Sequence, residues 1–227
     1  NGLLGLASFS GFVAYWLLWS YRDQVPMAGS LAKAGSVGML AVIAGMVGLW
    51  PMALGLALGA LGDFALSRRG QAAFLAGMAA FASGHLAYAV AFWGRAMSMQ
   101  ALAYWPFALL LALLISTEFW LAPRTGDLRW PVRGYVVVIG IMAALAMALA
   151  PGAGRGVLQI GVCLFVGSDL LLALRLFVVT DPPRQRALSL ALWPSYWLGQ
   201  VLILLGSLAY WPSSLGCPFH TPAKLTN

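Results

Sequence analysis

Charge is what this sequence has least of. Only 8% of its 227 residues are Asp, Glu, Lys or Arg, against roughly a quarter in a soluble domain. So few charges cannot cover a water-facing surface, and the bilayer must be the solvent for most of the chain. Acids are scarcer than bases, 6 against 13, which leaves a net charge of +7. The histidines are His85 and His220, and the cysteines Cys163 and Cys217. That supply excludes a multi-histidine metal site, a zinc cluster and a disulfide framework. There is no Gly-x-Ser-x-Gly elbow and no P-loop, and nothing marks a serine triad. Neither a metal nor another cofactor is expected. Long linkers and low-complexity tracts are absent, so residues 1–227 read as one domain. No cleavable signal peptide stands out.

What the chain has is apolar sequence, 62% of it, recurring from end to end. The runs predict an all-α, polytopic membrane protein with eight helices, at Leu3–Ser20, Leu31–Leu49, Pro51–Leu66, Ala72–Trp93, Gln100–Leu121, Trp130–Ala150, Gly154–Val178 and Leu188–Tyr210. The stretch from Leu31 to Leu66 is too long for one crossing. Trp50-Pro51 divides it, because proline suits the first turn of a helix. Pro151-Gly152 separates the sixth and seventh helices in the same way.

The loops then give an orientation. Arg22, Lys33, Arg68, Arg69, Arg124, Arg129, Arg133, Arg175, Arg184 and Arg186 fall on one side, and Arg95, Arg155 and Lys224 on the other. The first side should be cytoplasmic, with both termini outside. This placement makes the basic residues topological and headgroup-facing, and nucleic acid is not an expected partner. Trp19, Trp50, Trp93, Trp105, Trp130 and Trp211 fall near predicted helix ends, as an aromatic belt requires. A short repeat, small-Asp-x-x-Leu, occurs at Gly62-Asp63 in the third helix and Ser168-Asp169 in the seventh. It suggests two four-helix halves.

Ionisable groups inside membrane helices cost roughly 2.5–3.5 kcal/mol on insertion scales, so each one asks for an explanation. Asp63 precedes Arg68 by five residues and Asp169 precedes Arg175 by six. Both acids are therefore expected about 8–9 Å inside the cytoplasmic rim, facing one cavity. They either do chemistry or fasten helices together. His85 shares a helix face with Tyr88 and Phe92 and is either a proton carrier or a packing residue. Its position about 24 Å along the helix from Arg69 argues against a dyad with Asp63. Tyr196 and Gln200 lie one turn apart and either hold a ligand or bridge helices. Lys33 either meets a lipid phosphate or snorkels at the rim. Glu118 reads as a rim ion pair with Arg124, and Tyr135 is a weaker candidate.

Three segments, in order, resemble the YhhN-type lysoplasmalogenase family of membrane proteins. They are Leu61-Gly62-Asp63-Phe64-Ala65-Leu66 with Phe74-Leu75-Ala76-Gly77 and Ser83-Gly84-His85-Leu86-Ala87-Tyr88; Gly161 through Ala173, containing Ser168-Asp169; and Tyr196-Trp197-Leu198-Gly199-Gln200-Val201-Leu202-Ile203. Lys33, and Pro131-Val132 with Tyr135, fit the same pattern. The resemblance implies a membrane-embedded hydrolase that cleaves the vinyl ether bond of lysoplasmalogens to a fatty aldehyde and a glycerophospho-head-group. Asp63 and Asp169 are then the expected catalytic acids. Lys33, His85, Tyr88, Tyr135, Ser168, Tyr196 and Gln200 are the expected substrate-binding or supporting residues. The expected partners are a lysophospholipid substrate and membrane lipids, in a bacterial inner membrane. A proton-coupled carrier and a non-catalytic lipid-binding protein are the alternatives from other classes.

Overall fold

The computed structural model describes residues 2–22, 24–96 and 105–211. Gln100, Cys217, His220 and Lys224, all named above, lie outside the described residues. Eight helices follow one another: α1 Gly2–Leu18, α2 Met27–Met46, α3 Trp50–Leu66, α4 Gln71–Trp93, α5 Trp105–Trp120, α6 Arg129–Met147, α7 Arg155–Phe177 and α8 Pro182–Tyr210. Six are long and apolar enough to cross a membrane, counted with the short turns that flank α5 and α6. Helices α1 and α3, at 17 residues each, stand at the low end of the roughly 17–25 needed. The described residues contain no strand, only an isolated bridge between Ala96 and Leu149.

Two helices begin earlier than apolarity alone predicts. Pro26 caps α2, so the helix starts at Met27 rather than Leu31 and includes the small turn Ala28-Gly29-Ser30. Asp181 caps α8 by accepting from the Arg184 backbone N–H at 3.2 Å, and Pro182 occupies the first turn. A polar first turn is invisible to a hydropathy reading but is well specified by its cap.

The bundle is apolar outside and polar within. Trp50, Phe119 and Trp130 are at least 70% exposed, whereas Ser8, Ser36, Asp63, His85, Gln200 and Ser207 are buried. Water would reverse that arrangement, and lipid favours it. Helices α3 and α4 pack as one hairpin, and α7 and α8 as another, each through glycine. A methyl group on Gly84 would meet the Gly55 carbonyl oxygen at 3.0 Å. One on Gly161 would meet the Ile203 nitrogen at 2.7 Å, and one on Gly199 the Gly161 carbonyl oxygen at 3.0 Å. Beyond these hairpins, α4 packs on α6, and α1, α2 and α3 pack on α8.

Pro194 lies inside α8 and cannot donate to the Leu190 carbonyl one turn back. The Trp16 indole N–H donates to that carbonyl instead, at 3.0 Å. Two more indoles fasten α8 to α1: Trp193 donates to the Phe12 carbonyl at 3.1 Å and Trp197 to the Ser8 hydroxyl at 3.3 Å.

Candidate active site

Asp63, in the last turn of α3, is 1% exposed. Its Oδ1 is 3.0 Å from Lys33 Nζ, while its Oδ2 is buried without a hydrogen-bond partner among the described residues. The ammonium also lies against two aromatic rings, 5.7 Å from the centroid of Tyr15 and 5.6 Å from that of Trp193. The rim position expected for Lys33 is therefore corrected. Because α2 begins at Met27, Lys33 sits six residues into it, about 9 Å along the axis. There it neutralises a buried acid.

Asp169, on α7, accepts from Tyr135 Oη at 2.9 Å and lies 3.5 Å from His85 Nε2 through the same Oδ2. His85 Nδ1 is 2.6 Å from the Phe81 carbonyl oxygen. A carbonyl only accepts, so Nδ1 carries the hydrogen of this bond. Nε2 is buried without a hydrogen-bond partner among the described residues, 3.5 Å from Asp169 Oδ2.

Residue counting argues against an Asp63–His85 dyad, and none is found among the described residues; His85 meets Asp169 instead. Counting measures distance along one helix axis, not depth, and the helices are staggered. His85 is 14 residues from the first residue of α4, whereas Asp169 is 8 residues from the last of α7. The two nevertheless touch.

The two acids have matching surroundings. Lys33 is the seventh residue of α2 and Tyr135 the seventh of α6, and each contacts the acid on the next helix. His85 is the fifteenth residue of α4 and Tyr196 the fifteenth of α8. His85 reaches across to the acid of the second half. The Tyr196 hydroxyl packs against Gly59, one turn from Asp63, where a methyl group would lie 3.1 Å from it. It has no hydrogen-bond partner among the described residues. One turn farther along, Gln200 accepts from Tyr88 Oη at 2.7 Å, so this pair bridges α4 and α8 beneath the acids. Ser168 donates back to the Phe165 carbonyl of its own helix at 2.7 Å. Glu118 pairs with Arg133 rather than Arg124, because Arg133 faces it from α6.

A cavity of about 720 Å³ opens beside these groups. Asp63, Lys33, Ser168, Asp169 and Tyr196 line it, and Arg22, Arg68, Arg69 and Arg175 line it as well. From the sequence these arginines carry a topological role, with Arg68 and Arg175 also marking the depth of the two acids. A second, narrow groove of about 110 Å³ runs between α4, α5, α6 and α7 and is almost wholly apolar. Leu113, Leu114, Ile139, Val166 and Phe177 are among its walls, and Thr117, Tyr135 and Asp169 are polar exceptions. Asp169 lines both spaces, as do Leu66, Phe81, Leu172 and Leu176. A charged chamber and an apolar groove thus meet at one carboxyl group. Among the described residues no group of three or more His, Cys, Asp or Glu side chains is placed to hold a metal ion.

The profile of the YhhN family matches residues 28–207. The chain belongs to the YhhN family. The matched span begins one residue inside α2 and ends three before the end of α8, and it holds Lys33, Asp63, His85, Tyr135, Asp169 and Tyr196. The chain is also 30% identical over 217 residues to lysoplasmalogenase TMEM86A of Bos taurus, an alignment covering 88% of this chain and 86% of that protein. No solved structure gives a significant match.

Proposed function

We propose that this YhhN-family chain is a membrane-embedded hydrolase that cleaves the vinyl ether bond of lysoplasmalogens. The observation that carries the reading is the meeting of the arginine-lined chamber and the apolar groove at Asp169. An amphiphile with its head in the chamber and its chain leading into the groove presents its linking bond to that carboxyl. The similarity to a bovine lysoplasmalogenase supports the same substrate class. The groove's small enclosed volume leaves most of the chain in the bilayer.

The reaction needs an acid that can protonate carbon and a carboxylate that offsets positive charge. Asp169 and His85 hold one proton between them, next to the groove, and deliver it to the β-carbon of the vinyl ether. The carbon–carbon π electrons form the new C–H bond, and the α-carbon becomes an oxocarbenium ion. Water adds to the α-carbon. Asp63, already paired with Lys33, offers its free Oδ2 to that water and takes its proton. The resulting hemiacetal collapses by breaking the bond between the α-carbon and the glycerol oxygen. A proton passes from the hemiacetal hydroxyl to the departing oxygen, giving a fatty aldehyde and a glycerophospho-head-group. The proton gained by Asp63 returns to the Asp169–His85 pair through water in the chamber, so the cycle consumes one water. Tyr135 holds Asp169, and the Tyr88–Gln200 bond sets the spacing of α4 and α8 below.

The test is purified protein incubated with a lysoplasmenyl lipid in heavy water, with a trap that captures aldehyde before it exchanges. Fatty aldehyde carrying one deuterium on the carbon beside the carbonyl is expected, and the released glycerol should keep its original oxygen. Solvent oxygen in the glycerol product would overturn the mechanism. Absence of aldehyde would leave a carrier or a lipid-binding protein.

A further inference from the structure

The chamber that holds Asp63 and Asp169 is lined by far more positive charge than the acids require. Lys33 is matched by Asp63. Arg22, Arg68, Arg69 and Arg175 also line the space, and none of the four forms an ion pair among the described residues. Topology alone asks only for basic residues on one side of the membrane. It does not ask four arginines from three separate segments to converge on one cavity.

One of these arginines, Arg68, is anchored in a way that topology does not require. One terminal nitrogen of Arg68 donates to the Val25 carbonyl at 3.2 Å and to the Ser30 hydroxyl, and its guanidinium stacks 5.3 Å from the centroid of Phe64. Its Nε and that of Arg175 are buried without a hydrogen-bond partner among the described residues. Arg175 projects from α7 six residues, about 9 Å, beyond Asp169. Arg175 therefore stands on the rim side of Asp169. A guanidinium fork with an unfilled donor suits a phosphate oxygen pair.

We infer that Arg68, Arg69 and Arg175, with Arg22 at the mouth, form a binding site for the phosphodiester of a lipid head group. This rests on the function proposed above and gives it a selectivity: a glycerol ether bearing a phosphodiester is taken, and the same ether without phosphate is discriminated against.

The experiment uses the full chain in detergent micelles and non-reacting probes. A saturated 1-O-hexadecyl-glycero-3-phosphocholine keeps head and chain but cannot form the oxocarbenium ion. 1-O-hexadecylglycerol lacks the phosphate, and glycerophosphocholine lacks the chain. The phosphate-bearing ether should bind about tenfold or more tightly than the phosphate-free one, a difference of one good charged contact. Arg175→Gln and Arg69→Gln should each cut that ratio severalfold, and Arg68→Lys should do so while keeping the charge. Arg184→Gln, on the same side of the protein but outside the chamber, should leave the ratio intact. Equal affinity for the two ethers, or a ratio untouched by all three chamber variants, would overturn the site. Glycerophosphocholine binding as tightly as the lipid would assign the site to a soluble phosphodiester and overturn the lipid assignment. Aldehyde release is read separately from lysoplasmenyl lipid. Phosphate-selective binding without aldehyde would overturn the proposed reaction and keep this site, and aldehyde without selectivity would do the reverse.

Discussion

Asp63 and Asp169 share a sequence context but not a partner, and that difference makes their substitutions distinguishable. Asp169→Asn keeps shape and burial but removes the carboxyl group proposed to deliver the proton. Turnover should fall by at least about a hundredfold, with thermal stability close to that of the parent, read as aldehyde release beside a melting curve. Near-normal activity would remove Asp169 from the reaction. Asp63→Asn leaves Lys33 buried without its counter-charge, and breaking such a pair costs about 3–5 kcal/mol. It should therefore lose both activity and stability. Adding Lys33→Met should restore much of the stability and none of the activity. A double variant that also regained turnover would make the pair purely structural. At this scale the sequence exposes the acids, because charge stands out against an apolar background. It hides their partners. Lys33 looked peripheral because Pro26 starts α2 four residues before its apolar run. The meeting of His85 with Asp169 is not legible there, because the stagger between α4 and α7 depends on how whole helices pack.

At the scale of helices, the apolar runs and proline breaks locate all eight elements to within a few residues where they are described. The errors fall at first turns that lie ahead of the apolar run, those of α2 after Pro26 and of α8 after the Asp181 cap above all. What the runs cannot supply is which faces meet. In lipid, association rests on close packing and small residues rather than on a hydrophobic drive, so the pairing of α7 with α8 is written in Gly161 and Gly199. A side chain at Gly199 must push against backbone atoms of Gly161 and Phe165, both at 3.0 Å. Gly199→Val should therefore separate the two helices, lower the melting temperature markedly and weaken activity through Tyr196 and Gln200 on the same helix. The neighbouring change Leu198→Val, at a lipid-exposed position, should do little. Equal melting temperatures for the two variants would contradict the close approach.

For the whole molecule, the chamber's opening and the chain's orientation are one question. Ser20, Arg22, Gln24, Ser67, Arg68 and Arg69 all line the chamber, and they come from the turns that follow α1 and α3. With an even number of helices, those turns share an end of the bundle with Arg184 and Arg186 near the start of α8. The charge asymmetry predicts a cytoplasmic position for this end, so the chamber should open to the cytoplasmic leaflet and both termini should face out. Ser67 gives a direct reading, because it lines the chamber and its hydroxyl only donates back to the Phe64 carbonyl of α3. In a background where Cys163 and Cys217 are changed to serine, Ser67→Cys becomes the sole thiol. A membrane-impermeant maleimide should label it in inside-out vesicles and not in intact spheroplasts. Bound saturated ether lysophospholipid should slow that labelling, because the head group would stand between Ser67 and the water outside. Labelling only from the outer face would invert the topology. Labelling from the inner face that is indifferent to the lipid would keep the topology but place the head group elsewhere.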